Sequence, residues 1–234
     1  MEITKRALGT CSPLAVGSGS LGLEKEYREK ICQEIEQQYE EEPVELSEET
    51  TGVWTGDSAG FNLLHKDEFF QPFFTNLTHA VKEYCNDIGI NPSRFNFYVA
   101  RSWGSRTTKD QYINIHSHSY AHISAVYYPV AVKNAGNILL SVARAPLEII
   151  PQLFCKEAYQ SGLISYNNPY SLNSICYEPE DDMYLIFPAK TDHETDVSKS
   201  DDTRYSVAVD YILTLADEEG HEVAMPDPKT WTKL

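Results

Sequence analysis

Between Gln111 and Tyr128 the chain reads QYINIHSHSYAHISAVYY, with two imidazoles, His116 and His118, one residue apart. Residues i and i+2 of a β-strand project from the same face. A strand over Tyr112 to His118 therefore puts both rings on one side, with Asn114 behind them. Neutral imidazole nitrogen suits Fe, Zn, Cu and Ni, so the pair is a good start to a divalent-metal site. A third ligand must come from elsewhere, and His193, in YLIFPAKTDHETDV, is the best candidate. His-x-His pairs also occur as ordinary hydrogen-bonded surface residues, and spacing alone leaves both readings open. Arg204 and Ser206, in RYSVAVDY, share a face by the same rule. A guanidinium in a β interior is costly unless it meets an anion. A carboxylate gripped bidentately would satisfy it, as would an ion pair with Asp196 or Asp202.

These residues need a scaffold, and the 234-residue chain is long enough for one large β domain. Apolar residues make up 41% and aromatic residues 12%, ample for a packed core. No run approaches the ~18 apolar residues of a membrane span, and the first twenty residues carry too short an apolar stretch for a signal peptide. Cysteines 11, 32, 85, 155 and 176 show no CxxC spacing. That is the pattern of reduced thiols, and the expected location is cytoplasmic. A net charge of −16 disfavours nucleic acid as a partner.

Two helices come first. Leu21 to Glu42 places Leu23, Tyr27, Ile31 and Ile35 at four-residue spacing among charges. The acidic run Glu40 to Glu49 reads as a solvated connection, and Gly52 to Gly60 as turn-rich around Trp54. A second helix starts near Asp67 and continues through Pro72, which a first turn tolerates. Phe73, Leu77, Val81, Tyr84 and Ile88 form its apolar face, and Gly89 stops it. From Phe95 the character is β: RFNFYVARSW, YINIH, ISAVYYPV, GNILLSVA, MYLIFPA and YSVAVDYILT are rich in β-branched and aromatic residues. Turn signals such as Asn134-Ala135-Gly136 separate them, TDHETD presents His193 on a turn, and Pro146 to Pro179 interrupts the series as a lid or irregular surface. The expected fold is α+β, mainly β with flanking helices: a sheet sandwich or barrel with the helices packed outside. It is read as a single domain over 1–234, with helical region 21–90 packed on β core 95–214 and an insertion at about 146–179.

The order strand, His-x-His, strand, insertion, strand, distal His, Arg-x-Ser resembles the double-stranded β-helix oxygenases that use Fe(II) and 2-oxoglutarate. More narrowly, it is similar to a group of 2-oxoglutarate/Fe(II) oxygenases marked by His-x-His, SGVYY, a distal His and Arg-x-Ser. Here the elements are His116-Ser117-His118, Ser124-Ala125-Val126-Tyr127-Tyr128, Pro188…His193 and Arg204-Tyr205-Ser206. The likeness runs from about Trp54 to Leu213. It implies a double-stranded β-helix, a cupin-like jelly roll, with His116 and His193 as Fe(II) ligands on an open facial site. Arg204 and Ser206 would hold the distal carboxylate of 2-oxoglutarate, Tyr128 or Tyr112 would add a hydrogen bond, and Asn114 would stand beside them. The implied activity is a dioxygenase that uses dioxygen to hydroxylate an unactivated C–H of a small molecule or amino-acid-like side chain. One departure stands out: the usual motif is His-x-Asp/Glu, and His118 occupies the carboxylate position. The site is then a three-His one, or Asp192 or His122 completes it. Two other readings stay open: a three-His cupin-type dioxygenase without 2-oxoglutarate, and a metal-free β-sandwich binding protein.

Overall fold

In the computed structural model of the chain, the described residues are 14–41, 53–54, 63–142, 156–166, 174–217 and 222–233. Two sheets and two helices carry the architecture. Strands β1 (Gly17–Ser20), β2 (Val53–Trp54), β3 (Phe95–Thr107), β4 (Ile123–Tyr128), β7 (Met183–Pro188) and β9 (Arg204–Leu215) form a six-stranded sheet in the order β1-β7-β4-β9-β3-β2. Strands β5 (Ile138–Ser141), β6 (Ser174–Tyr177) and β8 (His193–Thr195) form a three-stranded sheet in the order β6-β5-β8. Every pairing between these strands is antiparallel. The two sheets face each other across Ile138, Leu140, Leu185 and Phe187, and the fold is a double-stranded β-helix.

The helices cover the other face of the large sheet. In α1 (Lys25–Glu41), the four-residue periodicity buries Ile31, Ile35 and Tyr39. In α2 (Gln71–Asp87), Phe73, Leu77, Val81 and Tyr84 are buried, with Phe74 and Cys85 beside them. Ile88 caps α2 and stays 43% exposed, so the buried face ends at Tyr84 and Cys85. Gly89, at φ 85, turns the chain out of the helix. The helical layer meets Ile123, Ala125, Tyr127, Val207, Val209 and Tyr211 in one continuous core. Fully burying one such side chain contributes roughly 1.5–3 kcal/mol. The approach is closest at Gly104, where a Cβ would lie 2.8 Å from the Ile35 side chain.

Alternation along β4 and β9 divides the sheet into an apolar helix side and a more polar cavity side. On β9, Val207, Val209 and Tyr211 join the helix-side core, while Arg204, Ser206 and Ala208 line the cavity. Strand β3 reaches the same division through a register shift between Val99 and Arg101. Before the shift, odd-numbered Phe95, Phe97 and Val99 pack toward the helices. After it, Gly104 faces α1, and Trp103 and Ser105 line the cavity. A bulge with one extra residue reverses the facing of everything beyond it.

Several boundaries differ from the sequence reading. YINIH is not a regular strand: only His116 makes a bridge, to His193. His193 lies on β8 rather than on a turn, because TDHETD is short and polar yet pairs with β5. Ser174–Tyr177, inside the expected insertion, is strand β6, and Lys156–Gln160 is a short helix, α3. The rest of the insertion, 146–155 and 167–173, lies outside the described residues, as do most of the acidic run and most of the turn-rich segment around Trp54. No described helix is long and apolar enough to cross a membrane.

Candidate metal centre

The three histidines converge. His116 and His193 exchange backbone hydrogen bonds of 2.9 and 2.8 Å, and the His118 amide is tied to Ala189 O at 2.8 Å. These ties dock the segment after β3 onto β8 and the end of β7. Ring centroids are 4.1 Å apart for His116–His193 and 5.2 Å for each pair that includes His118. One ring nitrogen from each lies within 4.8 Å of the others, and among the described residues this is the group able to hold a metal. Asp192 and His122 are exposed and outside it; the His122 Nδ1 accepts from the Leu213 amide.

Hydrogen bonding sets which nitrogen each ring presents. The Nδ1 of His116 lies 2.8 Å from Asn114 O, that of His193 2.9 Å from Thr191 O, and that of His118 2.6 Å from Asp210 Oδ1. Carbonyls and carboxylates cannot donate, so each Nδ1 carries the proton and each Nε2 keeps its lone pair. The His118 Nε2 is buried and has no partner. Partners that fix the tautomer in this way are the usual outer shell of metal-binding histidines. Burial, reinforced by the neighbouring His116, pulls the His193 pKa down to about 4, and burial lowers that of His116 as well. Both rings therefore stay neutral and ready to ligate at neutral pH.

Arg204 shares their cavity. Its side chain is 1% exposed. Nη1 donates to the carbonyls of Ala135 (2.8 Å) and Gly136 (2.7 Å), and Nη2 to Thr107 Oγ1 at 3.1 Å. The Tyr128 ring stands 5.8 Å away, and Nε is buried without a partner. Among the described residues no carboxylate pairs with Arg204, so the ion pairs with Asp196 or Asp202 do not form. Burial alone pulls its pKa below the usual guanidinium value. The two carbonyls come from the Asn134-Ala135-Gly136 turn, where Gly136 has φ 88 and a Cβ would sit 2.3 Å from Asp196 O. Only glycine fits there. Arg204, Ser206, Tyr128, Trp103 and the three histidines line one cavity. The Tyr112 and Asn114 side chains are not brought to it. Tyr112 is half-buried, Asn114 is exposed and contributes its carbonyl, and Ile113 lines the cavity instead.

Residues 101–210 match the family described as "Putative 2OG-Fe(II) oxygenase". Over that stretch the chain is similar to that family. Solved structures share the fold of these oxygenases. HygX from Streptomyces hygroscopicus with nickel and 2-oxoglutarate bound is 13% identical, with 91% of each chain covered and a TM-score of 0.56. The non-heme alpha-ketoglutarate-dependent epimerase SnoN from nogalamycin biosynthesis is 9% identical over 85% of this chain and 78% of its own, with a TM-score of 0.59. A Pseudomonas putida prolyl-4-hydroxylase is 10% identical over 85% and 87%, with a TM-score of 0.51. No curated protein matches in sequence.

Set in the oxygenase fold, the carboxylate missing from the ligand position turns up one shell behind it. Asp210, on β9 and fully buried, accepts from His118 Nδ1 and from Ser124 Oγ at 2.6 Å each, and from the Tyr120 hydroxyl. Burial pushes its pKa up, but these three hydrogen bonds outweigh burial and hold it below the usual value, so it stays ionised. The signal was available in the sequence. Asp210 lies on the parity of Arg204 and Ser206, the lone acid within the apolar strand segment Val207 to Leu213. Thr107 was hidden by the β3 bulge.

Proposed function

We propose that the chain works as a single domain over 1–234 and is an Fe(II)- and 2-oxoglutarate-dependent dioxygenase. The two cofactors are those in the description of the family that residues 101–210 match. Its reaction is hydroxylation of an unactivated C–H in a small molecule or amino-acid-like side chain. The residues present fit the metal: three imidazoles with Nδ1 occupied, and one Nε2 buried with nothing to meet. His116, His118 and His193 would hold Fe(II), which when bound couples dioxygen and decarboxylation of 2-oxoglutarate to oxidation of a substrate C–H. The protein's own part is to bind, orient and keep water out.

The observation that carries this reading is Arg204. A guanidinium buried without a carboxylate is costly, and this one faces the cavity of the three histidines. With Nη1 committed to two carbonyls, the free edge is Nε and the remaining hydrogen of Nη2. That edge can take a carboxylate side-on, with Ser206 and Tyr128 lining the same cavity. A distal carboxylate of 2-oxoglutarate is of the kind this edge accepts. A three-His dioxygenase without 2-oxoglutarate is favoured by the absence of an acid from the metal group, but leaves Arg204 unexplained.

Anaerobic titration of the Fe(II) protein with 2-oxoglutarate separates the two. Hydrogen bonds to a charged group contribute roughly 1.5–3 kcal/mol, so Arg204→Ala should weaken binding at least about tenfold. Arg204→Lys should recover part of that loss, since an ammonium lacks the planar fork. Equal affinities in all three proteins make Arg204 structural and remove the main support for 2-oxoglutarate. Product analysis across a metabolite panel then tells hydroxylation from other oxidative outcomes, among them the epimerisation named for SnoN.

A further inference from the structure

We infer that Asp210 is a positioning residue that supplies, through His118, the negative charge that most facial metal sites of this kind take from a carboxylate ligand. The inference rests on the three-His metal site proposed above. The usual facial triad is two histidines and one carboxylate, so three neutral imidazoles leave the metal with one negative charge fewer. Asp210 stands one imidazole further out, with its Oδ1 2.6 Å from His118 Nδ1. A ring that ligates through Nε2 keeps its proton on Nδ1, and a carboxylate accepting that proton raises the ring's basicity as a ligand.

Burial supports the same assignment. Asp210 is 0% exposed, and the side chains that hydrogen-bond it are His118, Ser124 and Tyr120. A buried carboxylate is costly unless opposite charge compensates it. A cation on His118 Nε2, which is buried and partnerless, provides that charge along the line of the ring. His116 and His193 differ in kind, because their Nδ1 protons go to the neutral carbonyls of Asn114 and Thr191. The three ligands are thus unequal, and the most basic one occupies the position where related motifs place Asp or Glu. Ser124 and Tyr120 fix both carboxylate oxygens, so ring orientation and charge are set together.

The test is Co(II) titration, without 2-oxoglutarate, of wild type and Asp210→Asn. The amide can still accept from His118, so the tautomer is kept while the charge is removed. Co(II) affinity should fall about 10- to 100-fold at unchanged stoichiometry. A second readout needs no substitution. In the Zn(II)-loaded wild type with 15N-labelled histidine, the Nδ1 proton of His118 should resonate downfield of those of His116 and His193. A charge-assisted hydrogen bond is shorter and stronger than one to a carbonyl. Equal Co(II) affinities overturn the inference. So do three indistinguishable Nδ1 protons, and that measurement decides if Asp210→Asn does not fold. Failure of the wild type to take up one Co(II) is a different result, because it removes the metal site itself.

Discussion

Two buried aspartates, Asp182 and Asp210, are held from opposite faces of β4 by Tyr127 and Ser124, and they behave in opposite ways. Asp182, toward the helices, accepts from Tyr127 Oη (2.7 Å), the Gly22 amide (2.7 Å), the Leu23 amide (3.3 Å) and the Ser20 hydroxyl. Every donor there ends in the fold, tying the strand β1 and the start of α1 to the β6–β7 turn. Asp210, toward the cavity, accepts from Ser124, Tyr120 and His118, and His118 continues to a free Nε2 beside two more imidazoles. A buried carboxylate held by neutral donors is common to both. What the far end of the donor meets separates a staple from a site.

The sharpest way to break the comparison is to remove a ligand. His193→Ala should abolish stoichiometric Fe(II) binding while cooperative unfolding persists, because the apolar core lies on the other side of the sheet. His116→Ala should do the same. Unchanged iron content by metal analysis in both proteins would mean that the cluster is not the site.

The next effect is a pH dependence confined to the cavity side. Burial and His116 lower the His193 pKa from 6.5 to about 4. The unfolded chain therefore binds more protons between those values, and stability rises with pH across that window. In the metal-free protein this contribution is fully present above about pH 6.5 and is lost as pH falls toward about 4. Its size is on the order of 3 kcal/mol at 1.36 kcal/mol per unit. Urea unfolding at pH 7 and pH 4.5 should show it, and the difference should shrink in His193→Gln. An identical difference in both proteins assigns the acid sensitivity to other groups.

Much of this division was legible in the sequence, and the exceptions have physical causes. Both helices follow from apolar spacing, and the shared face of Arg204 and Ser206 follows from strand alternation. Strand β1 was invisible because GSGS carries no side-chain pattern; it forms by pairing its backbone with β7. Three-residue β8 has too little sequence to show alternation. The cavity-facing set of β3 depends on a bulge that no propensity announces. Gly136 was read as turn punctuation, although its carbonyl helps to hold Arg204. Asp210 obeys the parity rule, but a single acid on a strand carries no spacing motif that marks it as the partner of a histidine ligand.

A smaller effect compares the two acids directly. Asp182→Asn replaces a carboxylate oxygen by an amide that cannot accept from the Ser20 hydroxyl and the Gly22 and Leu23 amides. The expected loss is about 2 kcal/mol of unfolding free energy, with Co(II) affinity unchanged. Asp210→Asn should show the reverse weighting, losing metal affinity more than stability. Loss of Co(II) affinity in Asp182→Asn would show that the two sides of β4 are coupled.

The smallest expected effect belongs to the residue between Arg204 and Ser206. Tyr205 points away from the cavity, and its hydroxyl donates to Glu36 Oε2 of α1 at 2.6 Å. Glu36 raises the Tyr205 pKa further after burial has done so, to about 12, so the phenol stays protonated over the working range. Glu36 keeps a second partner in Arg106, at 2.8 Å, so losing the phenol does not strand its charge. Tyr205→Phe therefore removes one half-buried hydrogen bond and leaves the ring's packing, at a cost of about 1 kcal/mol. Calorimetric or urea unfolding measures that loss, and 2-oxoglutarate titration measures the other side of the strand. Affinity for 2-oxoglutarate should match wild type, whereas Arg204→Ala one residue earlier loses at least about tenfold. A Tyr205→Phe protein that binds 2-oxoglutarate as poorly as Arg204→Ala would show that alternation along β9 does not divide stability from binding.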